Sequence, residues 1–196
     1  MRSQYAYDYQ VILKKIGKAI VRISGWKIVG ELPSLDKAVY IAAPHTSNWD
    51  GFWFLVGKAA LGLEARFLAK HTLFWWPLGS ILGWFGAIPI DRSQGAEIVP
   101  QLIETINKSD RFCLALAPEG TRKWTPYWKT GFYRIAVEAD VPIVLAYIDY
   151  KNKKMGVGEV FKPSGDPDKD LEYLRNFYAP FSACRPENRG PIAFPP

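Results

Sequence analysis

The sequence predicts a single α/β domain, a largely parallel sheet flanked by helices and preceded by an amphipathic N-terminal helix. Three observations predict it. Apolar runs of strand length alternate along the chain with stretches of helical periodicity. The 196 residues, 48% of them hydrophobic, suffice for one packed domain and are short for two. No repeat and no dividing linker interrupts the alternation.

The elements follow in order. Residues 1–26 read as a basic N-terminal helix and 27–196 as the main domain. Within 11–26, Ile12, Ile16, Ala19 and Ile23 share one helical stripe. Lys14, Lys18 and Arg22 form an i, i+4 row on the other side, beside Lys15, with Trp26 near the end. Two readings fit: the stripe docks on the core, or it lies in a lipid interface. Residues 37–43 form an apolar strand ending at Pro44-His45, followed by a helix from about Trp49 to Ala60. Strands are expected at 65–69 and 87–90, a helix at 96–108 and a fully buried strand at 111–117. A helix near 130–139 leads to a strand at 141–148, and 155–161 adds an edge strand. Pro167, with Asp166 as cap, opens a final helix reaching Tyr178.

Thr72–Ile90 carries no formal charge over 19 residues, the length of a membrane span. Pro77, Gly79, Gly83, Gly86 and Pro89 break it, and Trp75, Trp76 and Trp84 are spread along it. It therefore reads as one or two short apolar helices running into a strand. Such a wall suits an acyl-chain groove, a lipid contact or ordinary core.

The net charge of +6 is unevenly placed. Residues 1–30 hold six basic groups and one acid, and residues 31–196 hold 19 basic and 18 acidic ones. A nearly neutral body argues against nucleic acid, whose binding needs cations across a docking face. Cys113 and Cys184 cannot build a disulfide framework, and with two widely separated histidines they give no zinc site. With no signal peptide in view, they favour a reducing, cytoplasmic setting.

Three short segments could carry chemistry, each at the end of an apolar run. His45 and Asp50 form a His-x4-Asp pair where a strand gives way to a helix. The carboxyl end of a parallel strand is where ligands bind in such sheets. A histidine there can take a proton from a hydroxyl if a carboxylate fixes its tautomer; a histidine merely capping a turn fits the same spacing. Pro118-Glu119-Gly120-Thr121-Arg122 offers an arginine and turn N–H groups to an anion. A Pro-Gly turn closed by a Glu119–Arg122 contact is the plainer reading. Ile90-Asp91-Arg92 supplies a second arginine. His71 has no carboxylate partner and reads as structural. The chain has no G-x-S-x-G elbow, no phosphate-binding P-loop and no complete dinucleotide fingerprint.

Four segments together resemble the motifs of the glycerol-phosphate acyltransferase superfamily. They are Pro44-His45-Thr46-Ser47-Asn48-Trp49-Asp50, Gly86-Ala-Ile-Pro-Ile-Asp91-Arg92, Pro118-Glu119-Gly120-Thr121-Arg122 and Val141-Pro142-Ile143-Val144. The resemblance covers about residues 25–165 and is nearest to the 1-acylglycerol-3-phosphate acyltransferases of phospholipid biosynthesis. It implies transfer of a fatty acyl group from coenzyme A or acyl carrier protein to the hydroxyl of a lysophospholipid, with lysophosphatidic acid foremost. It implies His45 as general base and Asp50 as its orienter. Glu119, Gly120, Thr121 and Arg122 match the acceptor-binding motif, with Arg92 and Lys70 as further phosphate partners. Neither a metal nor a resident cofactor is implied. The partners would be the two substrates and an anionic membrane surface, at the cytoplasmic face. Pro44, the Ile88-Pro89 pair and Lys123 depart from the family's usual residues. They leave room for another amphiphilic acceptor, and a lipid-binding module without turnover is the rival of another class.

Overall fold

The computed structural model describes residues 4–91 and 95–196. Seven strands form one sheet: β1 (Lys27–Val29), β2 (Lys37–Ala43), β3 (Ala65–Lys70), β4 (Ala87–Ile90), β5 (Phe112–Leu116), β6 (Ile143–Asp149) and β7 (Lys154–Phe161). Their order is β1-β7-β6-β2-β5-β3-β4. Neighbours are parallel throughout except β6 and β7, which form an antiparallel pair. The expected α/β class and largely parallel sheet are what the chain adopts. The three-residue β1 was not expected; it is too short to show a period of two.

Alternation along β2 explains the layers. Val39, Ile41 and Ala43 face a core built with α4 (Gly95–Lys108), α5 (Gly131–Glu138) and α6 (Pro167–Tyr178). Ala38 and Tyr40 face the other side, under α2 (Asn48–Leu61). A strand buried on both faces reads as a continuous apolar run, and KAVYIAA is one. Asp166 caps α6 as expected, accepting the N–H groups of Asp168 and Lys169.

The N-terminal helix α1 (Gln4–Ile23) lies against α2. It buries Gly17 and Val21, with Leu13 and Ile20 half-buried. Gly17 is required there, because a Cβ would stand 2.6 Å from the Ala60 backbone nitrogen. The docked face is rotated by one residue, about 100°, from the stripe read in the sequence. Ile12, Ile16 and Ile23 stay exposed, Ile23 to 86%, so that stripe does not dock on the core.

In 72–90 the short helices take the form of a 3-10 turn (His71–Leu73) and α3 (Leu78–Trp84), followed by β4. His71 Nδ1 lies 3.3 Å from the Ile90 carbonyl oxygen, a contact between the ends of β3 and β4. Among the described residues no helix is long and apolar enough to cross a membrane.

Candidate active site

Strand β2 lies between β5 and β6, so the segments that leave these three strands meet at one edge of the sheet. The segment after β2 is the centre. The Ala43–Pro44 peptide bond is cis, and Thr46 and Ser47 are buried. Ser47 is the N-cap of α2 and Asp50 the third helical residue, in a capping box. The Trp49 N–H donates to Ser47 Oγ, and Asp50 accepts the Ser47 N–H in return.

Asp50 does more than cap. Its Oδ2 accepts the N–H groups of Thr46 and Ser47 at 2.6 and 2.7 Å and stands 3.4 Å from His45 Nδ1. Its Oδ1 accepts the Tyr150 hydroxyl at 2.6 Å. Burial pushes the carboxyl up, but the hydrogen bonds from His45, Tyr150, Ser47 and Thr46 outweigh it and hold it below its ordinary value. Asp50 is thus a fixed anion behind the imidazole. The His45 side chain is 25% exposed, which leaves an open approach to the ring.

From β5 comes the Glu-Gly-Thr-Arg turn. Gly120 has φ +64°, where an L side chain is strained, and its N–H donates to the Ala117 carbonyl oxygen. Glu119 is buried and turned inward, and its Oε1 accepts the His45 backbone N–H at 2.9 Å. Burial raises its pKa, against the lowering effect of that N–H. The Glu119 carboxylate therefore supports the histidine loop instead of facing solvent. Arg122 is exposed and donates through Nη1 to Asn48 Oδ1, which ties the turn to the start of α2. Thr121 Oγ1 accepts the Lys123 N–H within the turn.

The other expected cations are placed differently. Lys70 ends β3, exposed at the same edge and two strands from β2. Arg92 lies outside the described residues. Among the described residues, no three His, Cys, Asp or Glu side chains gather where they could hold a metal ion. A cavity of about 960 Å³ opens at the opposite edge beside Asp36, Lys58 and Arg66 and touches none of the described candidate residues.

Sequence reading missed the second ring of supports. Tyr150 follows β6 in the hairpin to β7, and only the adjacency of β6 and β2 brings it to Asp50. The C-terminal segment is the other support. The Arg185 N–H donates to Thr46 Oγ1 at 3.1 Å and Asn188 Nδ2 to the Thr46 carbonyl oxygen at 3.4 Å. Its irregular sequence carries no periodic signal for that role.

Around this edge stand exposed aromatic side chains. Trp49 and Phe52 follow β2, Trp75 and Trp76 follow β3, and Trp124 and Tyr127 follow β5.

A buried carboxylate stands behind an accessible histidine with an arginine turn alongside, an arrangement chemically able to accept a proton beside an anion. The sequence pattern of the Acyltransferase family matches residues 27–149, which include this histidine and turn. The chain belongs to that family and is an acyltransferase. Its fold is similar to the crystal structure of the 1-acyl-sn-glycerophosphate (LPA) acyltransferase PlsC from Thermotoga maritima. The TM-score is 0.60 at 18% identity, over 92% of this chain and 80% of that one. Curated protein sequences give no significant match.

Proposed function

We propose that the protein acylates the free hydroxyl of a lysophospholipid, with lysophosphatidic acid as the acceptor and an acyl thioester of coenzyme A or acyl carrier protein as the donor. One observation carries the reading. In a chain of the acyltransferase family, the His45–Asp50 pair and the arginine turn are bonded to each other at one sheet edge.

His45 Nε2 takes the proton of the acceptor hydroxyl while Asp50 holds Nδ1–H and the resulting positive charge. The hydroxyl oxygen attacks the thioester carbonyl carbon, and the tetrahedral intermediate collapses with cleavage of the C–S bond. The proton on His45 passes to the departing thiolate. The balance needs neither a metal nor an enzyme nucleophile. Arg122 and Lys70, with Arg92, supply cations for the acceptor phosphate. The acyl chain runs toward the apolar 72–90 segment.

The site works at the cytoplasmic surface of an anionic membrane. The exposed Ile12, Ile16 and Ile23 lie on a helix with Lys14, Lys15, Lys18 and Arg22, a combination suited to an acidic lipid interface. The exposed aromatics around the catalytic edge suit the same boundary. Lys123, exposed where the family usually has a small polar residue, favours a lysophospholipid of different headgroup as the second reading.

The experiment is a screen of acyl-CoA and acyl carrier protein donors against lysophospholipids of several headgroups, with the products read by mass spectrometry. Phosphatidic acid from lysophosphatidic acid as the dominant product supports the reading. Preference for another headgroup replaces the acceptor, and vesicle binding with no transfer to any acceptor replaces the activity.

A further inference from the structure

We propose that Tyr150 is a positioning residue for the general base, its hydroxyl fixing the Asp50 carboxylate against His45 and tempering the charge that the imidazole meets. The inference rests on His45 acting as the base. Tyr150 lies one residue beyond the stretch that the family pattern covers.

The two carboxylate oxygens of Asp50 are held from opposite sides. Oδ2 is held by the backbone of its own loop, through Thr46 and Ser47. Oδ1 is held from across the sheet by the Tyr150 hydroxyl at 2.6 Å. Rotation of the carboxylate would break both sets, so the oxygen facing His45 Nδ1 stays in place. Tyr150 is itself fixed. Its ring meets Trp26 edge-on at 5.1 Å, and its backbone N–H donates to the Ser182 carbonyl oxygen at 3.0 Å. Burial and the adjacent Asp50 raise its hydroxyl well above the ordinary tyrosine value, so it remains a neutral donor. The other titratable groups facing this cluster are Glu119, on the backbone of His45, and Cys184, beside Tyr150.

A donated hydrogen bond withdraws part of the negative potential of a carboxylate. Without it, the same formal charge acts on His45 less compensated, and the imidazolium form is favoured. The carboxylate, still held at Oδ2, also loses its hold at Oδ1, and the looser positioning lowers the rate of proton transfer.

Tyr150→Phe keeps the ring on Trp26 and removes only the hydroxyl. Tyr173→Phe is the control, since that hydroxyl bonds Glu159 away from the site. The chain has two histidines, so NMR titration of the imidazole resonances in the full chain, with His71→Ala for assignment, follows His45 directly. The His45 midpoint is expected to rise in Tyr150→Phe and to stay unchanged in Tyr173→Phe. In the transfer assay, kcat falls about tenfold in Tyr150→Phe while the acceptor KM changes little. An unchanged or lowered midpoint overturns the proposal, even if the variant is slower or melts earlier. The titration needs no substrate. An inert wild-type enzyme would therefore count against the proposed function and leave the Tyr150 result readable.

Discussion

The backbone N–H of His45 donates to the buried carboxylate of Glu119 at 2.9 Å, so the first and third motifs meet through a residue that faces inward. Among the described residues, Glu119 Oε2 is buried without a hydrogen-bond partner. Burial penalises the charge of a carboxyl so placed and raises its pKa, against the lowering effect of the His45 and Glu119 backbone N–H groups.

This gives Glu119 a defined pH signature. A group with a raised folded pKa contributes stability that is full below its ordinary value, near 4.5, and is lost as pH rises through the folded value. Glu119→Gln, neutral at every pH, should flatten the decline in Tm as pH rises above Glu119's ordinary value of 4.5. Glu119→Ala removes the acceptor for the His45 N–H and should cost about 1–3 kcal/mol in denaturant unfolding.

Asp50 has the opposite sign. Its folded pKa is lowered, so its contribution is present above the ordinary value of 3.8 and is lost as pH falls through the folded one. Asp50→Asn confronts the Thr46 and Ser47 N–H groups with a weaker, uncharged acceptor. It should destabilise the protein by about 1–3 kcal/mol at neutral pH, with the difference from wild type shrinking in acid. Urea unfolding at neutral pH and at a series of pH values below Asp50's ordinary value of 3.8 checks both parts.

Gly17→Ala separates helix propensity from packing. Alanine should strengthen an isolated helix by up to about 1 kcal/mol. In this protein the added Cβ meets the Ala60 backbone, which cannot swing aside as a side chain would. The variant should melt earlier, by about 1–3 kcal/mol of lost stability. Thermal unfolding followed by circular dichroism measures it.

The exposed stripe of α1 tests the membrane reading. Replacing Ile12, Ile16 and Ile23 together by Ser should abolish sedimentation with acidic vesicles while changing Tm little, because all three are exposed and none belongs to a buried core cluster. Raised salt should weaken the wild type's binding. Salt-insensitive binding by the triple variant would transfer the contact to the exposed Trp75 and Trp76.

The sheet was legible because β2, β5 and β6 are apolar runs of strand length, and the site because His45 and Glu119 stand two and three residues beyond such runs. The face by which α1 docks was not. Ile12-Ile16-Ile23 and Leu13-Gly17-Ile20 are both acceptable stripes, and the choice is made by the close approach at Ala60, a fact of tertiary packing. Glu119 was assigned to the acceptor by its motif, yet its orientation depends on where the His45 backbone lies. Tyr150 and Arg185 sit 100 and 139 positions from their partners Asp50 and Thr46, so no local spacing could join them.

The central claim is that His45, held by Asp50, removes the proton of a lipid hydroxyl. It is tested most directly by measuring transfer of a labelled acyl group from acyl-CoA to lysophosphatidic acid by wild type and His45→Ala, with Tm and vesicle binding recorded alongside. The variant should remain folded and membrane-bound and lose transfer by about 100-fold or more. Transfer at the wild-type rate by folded His45→Ala would contradict the account.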